Sequence, residues 1–344
     1  MNAIKRSDTQ LINNCLQDEL SKKVFSSRVM FSLTQDYSYI RNIVLDTKIS
    51  LYVHRMLSDA QKDSGIVLDG AGVYGEYVFR DYPELSWLCV TDRDKVGESF
   101  CNLHKVIGRE EAVNKYPDAY YAITSIKYYA EIEKELLSLG VSKKRIINIG
   151  RIAHDTENNM YFDFPFLNRR DNNHFIDCGA FHGENSINYV RWAGTNEAYG
   201  LAIEADESNY NICKEKMSEY ANIKVINAAA YRKKGFVTLC EQGDSQSSIS
   251  ENGKVKVNAI TIDDYSLNND ITMIKMDIEG SELDALKGAE NTIKEQKPDL
   301  IISVYHKTED IIELPKYILG LNSSYKMYLR HYMLGKSETV AFFV

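Results

Sequence analysis

Three carboxylates, Asp277, Glu279 and Glu282, crowd one short run, Ile274-Lys275-Met276-Asp277-Ile278-Glu279-Gly280-Ser281-Glu282. Acids so placed can take a proton, orient a hydroxyl or hold a divalent cation. Met273, Ile274 and Met276 before them read as a buried strand. After Gly280, the residues Leu283, Leu286 and Ala289 recur at helical spacing. The acids therefore fall at the carboxyl end of a strand, where open α/β sheets bind ligands. Capping the next helix accounts for one or two of them. It does not account for a second strand-to-glycine turn upstream, Phe175-Ile176-Asp177-Cys178-Gly179-Ala180-Phe181-His182-Gly183.

In that turn Gly179 and Gly183 let the backbone approach a ligand closely. The next strand ends at Ala202-Ile203-Glu204-Ala205-Asp206, and Glu204 can accept both hydroxyls of a ribose. The turn lacks the GxGxxG spacing of a pyrophosphate site. A nucleoside without phosphates fits better, and S-adenosylmethionine is such a ligand. Asn227-Ala228-Ala229-Ala230 follows the third strand. Its small residues leave room for a flat ring, and Asn227 can hydrogen-bond to it. The run Gly243-Asp244-Ser245-Gln246-Ser247-Ser248-Ile249-Ser250 reads as a polar loop, either a hairpin tip or a contact for polar acceptor groups.

With Val304-Tyr305-His306 and Tyr328-Leu329-Arg330-His331-Tyr332, these segments resemble the FkbM-type family of S-adenosylmethionine-dependent methyltransferases, from about Tyr161 to Val344. Ala205 departs from the pattern, where proline is common. The resemblance implies a class I methyltransferase sheet and usually O-methylation of a sugar or other small hydroxylated acceptor, free or glycan-linked, with N-methylation of an amine as the alternative. It assigns the cofactor to the segments carrying Asp177, Gly179, Ala180, Gly183, Glu204, Ala205, Asn227 and Ala228. Asp277 and Glu279 would face the methyl group. Asp277, His306 and His331 are the candidates for removing a proton from the acceptor. A divalent cation on Asp277 and Glu279 is the lesser alternative.

A different chemistry is written upstream. Gly70-Ala71-Gly72-Val73-Tyr74-Gly75 is a full GxGxxG between a strand and a helix, with Asp92 in the ribose position. It predicts NAD or another nucleotide, and hence an oxidoreductase or epimerase as the alternative function. Asp69 beside the turn and the early helix end at Phe79-Arg80-Asp81-Tyr82-Pro83 weigh against it. So does the lack of a Tyr-x-x-x-Lys pair: Tyr128 and Tyr129 are followed by Glu131, Ile132 and Glu133.

The elements that must position these residues fall into segments. Residues 1–60 read as a helical segment for packing or oligomerisation. Residues 61–150 alternate strands and helices, as a doubly wound Rossmann-like domain does. A linker is expected over 151–173, and a second α/β domain over 174–344, with its last two strands as an antiparallel edge. The chain has 344 residues, 44% hydrophobic and 26% charged, with net charge -8. That balance argues against a nucleic-acid partner. No segment reaches about 18 consecutive apolar residues, and the first residues do not read as a signal peptide. The six scattered cysteines lack metal or disulfide spacing, so a cytoplasmic setting is expected.

Overall fold

The computed structural model describes residues 5–170, 173–194, 198–240, 248–249 and 253–344. Of the polar loop over 243–250, all but Ser248 and Ile249 lies outside the described residues. The chain divides into two compact units, residues 1–35, 158–330 and 338–344 forming one and 36–157 with 331–337 the other.

In chain order the first elements are helices α1 (Arg6–Cys15), α2 (Glu19–Thr34), α3 (Ser38–Val44) and α4 (Lys48–Asp63). Then come β1 (Ile66–Asp69), α5 (Val73–Asp81), β2 (Trp87–Thr91), β3 (Ser99–Phe100) and β4 (His104–Ile107). They are followed by α6 (Arg109–Lys115), β5 (Tyr120–Ile123), α7 (Tyr129–Ser138), β6 (Ile146–Asn148) and α8 (Ile149–Asn159). The smaller unit is built on a sheet of order β3-β4-β2-β1-β5-β6. It is parallel except for the β3–β4 pair. The expected linker over 151–173 is in part helix, since α8 runs to Asn159.

The larger unit continues with β7 (His174–Cys178), α9 (Glu184–Ala193), β8 (Tyr199–Glu204), α10 (Glu207–Met217), β9 (Ile223–Asn227) and β10 (Ala229–Ala230). Next are β11 (Gly235–Cys240), β12 (Ser248–Ile249), β13 (Val255–Ile260), α11 (Ile262–Ser266) and β14 (Met273–Met276). It ends with α12 (Glu282–Lys287), α13 (Glu290–Glu295), β15 (Asp299–Ser303), α14 (Asp310–Leu321), β16 (Met327–His331) and β17 (Thr339–Phe343).

The main sheet has the order β16-β17-β15-β14-β7-β8-β9. Its middle strands β7, β14 and β15 are buried along their length, which is why they read as near-continuous apolar runs. The final strand β17 is antiparallel to β15, and β16 lies outside it, so the last two strands stand together at one edge of the sheet as expected. β11 and β13 pair antiparallel in a small separate sheet.

The expected N-terminal segment over 1–60 is divided between the units. Its first part covers the free edge of β16. Leu16 bridges Met327, Ser21 Oγ accepts from the Leu329 N–H at 3.0 Å, and Asp18 pairs with Arg330 at 2.7 Å. An uncovered edge would expose unpaired backbone groups. Among the described residues, no helix is long and apolar enough to cross a membrane.

Candidate functional site

The glycine turn after β7 and the acidic turn after β14 touch. β7 and β14 are parallel neighbours, with Asp177 opposite Lys275. Side chains opposite each other on one face meet. Lys275 Nζ lies 3.1 Å from Asp177 Oδ1 and donates to the Gly179 carbonyl at 2.8 Å. Ser186 donates to Asp177 Oδ2 at 2.8 Å. Both charged side chains are buried, 1% and 0% exposed. Burial alone would drive the proton off Lys275, but the Asp177 carboxylate holds its pKa above the ordinary value. Asp177 thus anchors the glycine turn from below, and its carboxylate is engaged inside the protein. Motif reasoning assigned no role to Lys275, which is buried against the glycine turn.

Gly179 has φ +79°, and a Cβ there would stand 2.0 Å from the Asp277 carbonyl oxygen. Only glycine permits this approach. Phe181 adopts φ +49° in the same turn, and Glu279 φ +52° in the acidic one. Left-handed backbone at a non-glycine residue costs about 1–3 kcal/mol and gathers at functional sites.

Glu204, at the end of β8, accepts the Phe181 N–H at Oε2 and the Asp206 N–H at Oε1, each at 2.8 Å. Burial raises its pKa, and these two backbone donors oppose the rise. The carboxylate is latched across the mouth of the glycine turn. Asn227 donates through Nδ2 to the Glu204 and Ala205 carbonyls at 3.0 and 3.1 Å, and the Ala228 N–H also bonds the Glu204 carbonyl. Ala180 and Ala228 are buried, and Gly183 packs against Cys213 and Met217. The residues from Asp177 to Gly183, Glu204, Ala205, Asn227 and Ala228 therefore gather at the carboxyl ends of three adjacent strands, as a nucleoside site requires.

In the acidic turn, Tyr161 donates to Asp277 Oδ2 at 2.7 Å, and the Tyr305 hydroxyl lies 3.5 Å from Oδ1. Tyr305 also donates to Glu338 at 2.8 Å. Burial, joined by Asp277, keeps both phenols protonated and so hydrogen-bond donors. Glu282 turns inward. Its Oε1 accepts from the Ile278 and Gly280 N–H groups at 3.0 and 3.4 Å and from His306 Nδ1 at 2.9 Å. It closes the turn, the structural task that helix capping predicts for one of the three acids, and it fixes the His306 ring.

His306 Nε2 then faces Asp277 Oδ1 at 3.3 Å and Glu279 Oε2 at 3.7 Å. Burial would discharge the imidazole, but the bond to Glu282 and the charge of Asp277 push its pKa up to about 10. Asp277 loses by burial as well, yet His306 and Lys275 bring its carboxyl below the ordinary range. With this charge arrangement His306 already carries its proton at neutral pH. The geometry brings Asp277, Glu279 and His306 together. His331 is elsewhere: its Nε2 meets the Gly335 carbonyl at 3.0 Å.

The smaller unit repeats the latch. Asp92 accepts the Ala71 N–H at Oδ2 and the Asp94 N–H at Oδ1, each at 2.9 Å. A Cβ on Gly75 would stand 2.1 Å from the Gly70 carbonyl, the close packing that the third glycine of such a turn allows. Asp69 does not place a free negative charge at this turn. It is buried and paired with Arg109 at 2.8 and 3.0 Å.

A parallel sheet with an inserted antiparallel strand, carrying ligand-side turns after β7, β8 and β14, defines the class I methyltransferase fold. Residues 177–327 match the family model described as the methyltransferase FkbM domain. That stretch of the chain is accordingly a methyltransferase domain of the FkbM type. In fold, the chain is similar to the methyltransferase FkbM from Methylobacillus flagellatus KT. The two are 19% identical, with a TM-score of 0.50, over 95% of this chain and 99% of that one. A precorrin-6y C5,15-methyltransferase from Geobacter metallireducens GS-15 matches 54% of this chain and 85% of its own, at 9% identity and a TM-score of 0.35. Fibrillarin from Aeropyrum pernix, solved with S-adenosyl-L-methionine, matches 55% and 74%, at 8% identity and 0.38. Among curated proteins, none matches the chain.

Proposed function

We propose that the larger unit transfers a methyl group from S-adenosylmethionine to a hydroxyl of a small polar acceptor, saccharide-like and free or glycan-linked. The observation that carries this reading is the contact between Gly179 and the Asp277 carbonyl. It sets a phosphate-free nucleoside turn directly beside an acidic turn. Methyl transfer needs an oxygen aligned with the sulfonium carbon, and positioning supplies much of the acceleration. Glu204 takes the ribose hydroxyls, exchanging part of its latch to backbone for them. Asp277, steadied by Tyr161 and Lys275, accepts a hydrogen bond from the acceptor hydroxyl and orients it. His306, holding its proton, stabilises the Asp277 carboxylate; it is not the base.

Calorimetric titration with S-adenosylhomocysteine tests this. Binding is expected for the wild type. E204A is expected to weaken it by about 1.5–3 kcal/mol, the worth of a hydrogen bond to a charged group. No heat with the wild type would remove the reading, and unchanged affinity in E204A would remove Glu204 from the cofactor site.

A further inference from the structure

Methyl transfer to a hydroxyl is helped when the hydroxyl is acidified, and in the reading above Asp277 orients the hydroxyl while His306 keeps its own proton. The same site holds a nitrogen that can act as a ligand. His306 Nε2 has no hydrogen-bond partner, although its side chain is only 7% exposed. Its other nitrogen is held by Glu282, which is itself locked to two backbone N–H groups. A carboxylate behind a histidine fixes the ring for metal binding and raises its basicity. Nε2 is aimed at Asp277 Oδ1, 3.3 Å away, with Glu279 Oε2 at 3.7 Å. Neighbouring ligands on a cation with bonds of about 2.1 Å stand roughly 3.0–3.4 Å apart. Asp277, Glu282 and His306 can also each bring a ligand atom within 4.8 Å of the others. Three carboxylates around one imidazole make an excess of negative charge. Glu279 adopts left-handed backbone in this turn, with φ +52°.

We propose that His306 Nε2, Asp277 and Glu279 bind a divalent cation such as Mn²⁺ or Zn²⁺, which displaces to water the proton that Nε2 carries in the empty site, with Glu282 as the positioning residue behind the histidine. One imidazole with carboxylates suits these ions. The remaining coordination positions are open to water and to the acceptor oxygen. The site deepens the methyl-transfer reading and rests on it for its role. A hydroxyl bound to the cation loses its proton to water more easily. Its oxygen lone pair then forms the bond to the methyl carbon, and the carbon–sulfur pair remains on sulfur, leaving a neutral thioether.

The test is a titration of the chelator-treated full chain with Mn²⁺, and separately with Zn²⁺, by calorimetry and by the Mn²⁺ electron paramagnetic resonance signal. One cation per chain is expected. H306A and D277N should each weaken binding at least about tenfold, while circular dichroism stays that of the wild type. Because D277N keeps shape and volume, it carries the test if H306A misfolds. Absence of binding in the wild type, or binding unchanged in D277N, would overturn the site. S-adenosylhomocysteine is titrated in parallel. If S-adenosylhomocysteine binds and neither cation does, the cation site is removed and the methyl-donor reading stays. If a cation binds and S-adenosylhomocysteine does not, the methyl-donor reading is removed and the cation site stays.

Discussion

Replacing Lys275 by methionine should unfold the larger unit far more readily than its single-residue scale suggests. The ammonium sits 3.1 Å from Asp177 Oδ1, with both groups out of solvent. At an effective dielectric constant near 20 that attraction is worth about 5 kcal/mol. Desolvating each ion costs several kcal/mol, so the pair together is near neutral for stability. K275M removes the attraction and one desolvation cost, but leaves Asp177 buried with Ser186 as its remaining donor and strips the Gly179 carbonyl of its bond. Breaking one side of a buried pair costs about 3–5 kcal/mol. For a unit of this size that is a fall in Tm of roughly 6–20 °C. Urea denaturation followed by circular dichroism measures it. D177N/K275M should recover much of the loss, since no uncompensated charge remains. The double-mutant cycle should give a coupling on the order of 2 kcal/mol or more. A K275M protein within about 1 kcal/mol of the wild type, or a double variant no better than the single one, would refute the reasoning.

Further outcomes are expected elsewhere. G179A puts a methyl group 2.0 Å from a backbone carbonyl at φ +79°. It should cost about 3 kcal/mol or more in urea unfolding. G72A in the smaller unit meets nothing within 4 Å, so it should stay within about 0.5 kcal/mol of the wild type. Asp81 is pushed by burial from its ordinary 3.8 to about 6, although Tyr37 and the Gly335 N–H donate to it. Its folded pKa lies above the unfolded one, so the fold favours the protonated form. The contribution is fully present below about pH 4 and is lost as pH rises through about 6. The gap corresponds to about 3 kcal/mol. D81N should therefore raise stability relative to wild type at pH 7.5 and flatten its fall between pH 4 and 6, as measured by calorimetric unfolding across that range. Parallel pH profiles for the two proteins would contradict this.

Much of this architecture is written in the local pattern. The strand from Tyr199 to Glu204 falls where its apolar run and terminal acid place it, because a strand buried on both faces shows its burial directly in composition. The partition of residues 1–60 between two units is not visible locally. It depends on Leu16 meeting Met327, a pairing across more than three hundred residues of chain. The helix at Ile149–Asn159 escapes notice because Asp155, Glu157, Asn158 and Asn159 dilute its apolar face. In the site, the types and spacing of Asp177, Glu204 and Asp277 announce strand-end chemistry. What they do not announce is which carboxylates face a ligand and which are used inside the fold. Lys275 gave the available signal, a cation inside an otherwise apolar strand. It became readable as the partner of Asp177 only when β14 and β7 were in register. The charge of His306 likewise depends on Glu282 folding back upon it, which a linear motif does not encode.

The contact between Gly179 and the Asp277 carbonyl joins the two turns main chain to main chain, with no side chain between them to yield. Any backbone shift in one turn is transmitted to the other. Over evolutionary time this divides the surface into two kinds of position. The seam itself has almost no freedom to drift. Residues around its rim can be exchanged without altering the spacing between the turns. A lineage built on this scaffold can thus change what it recognises through its rim while inheriting one fixed distance at its centre.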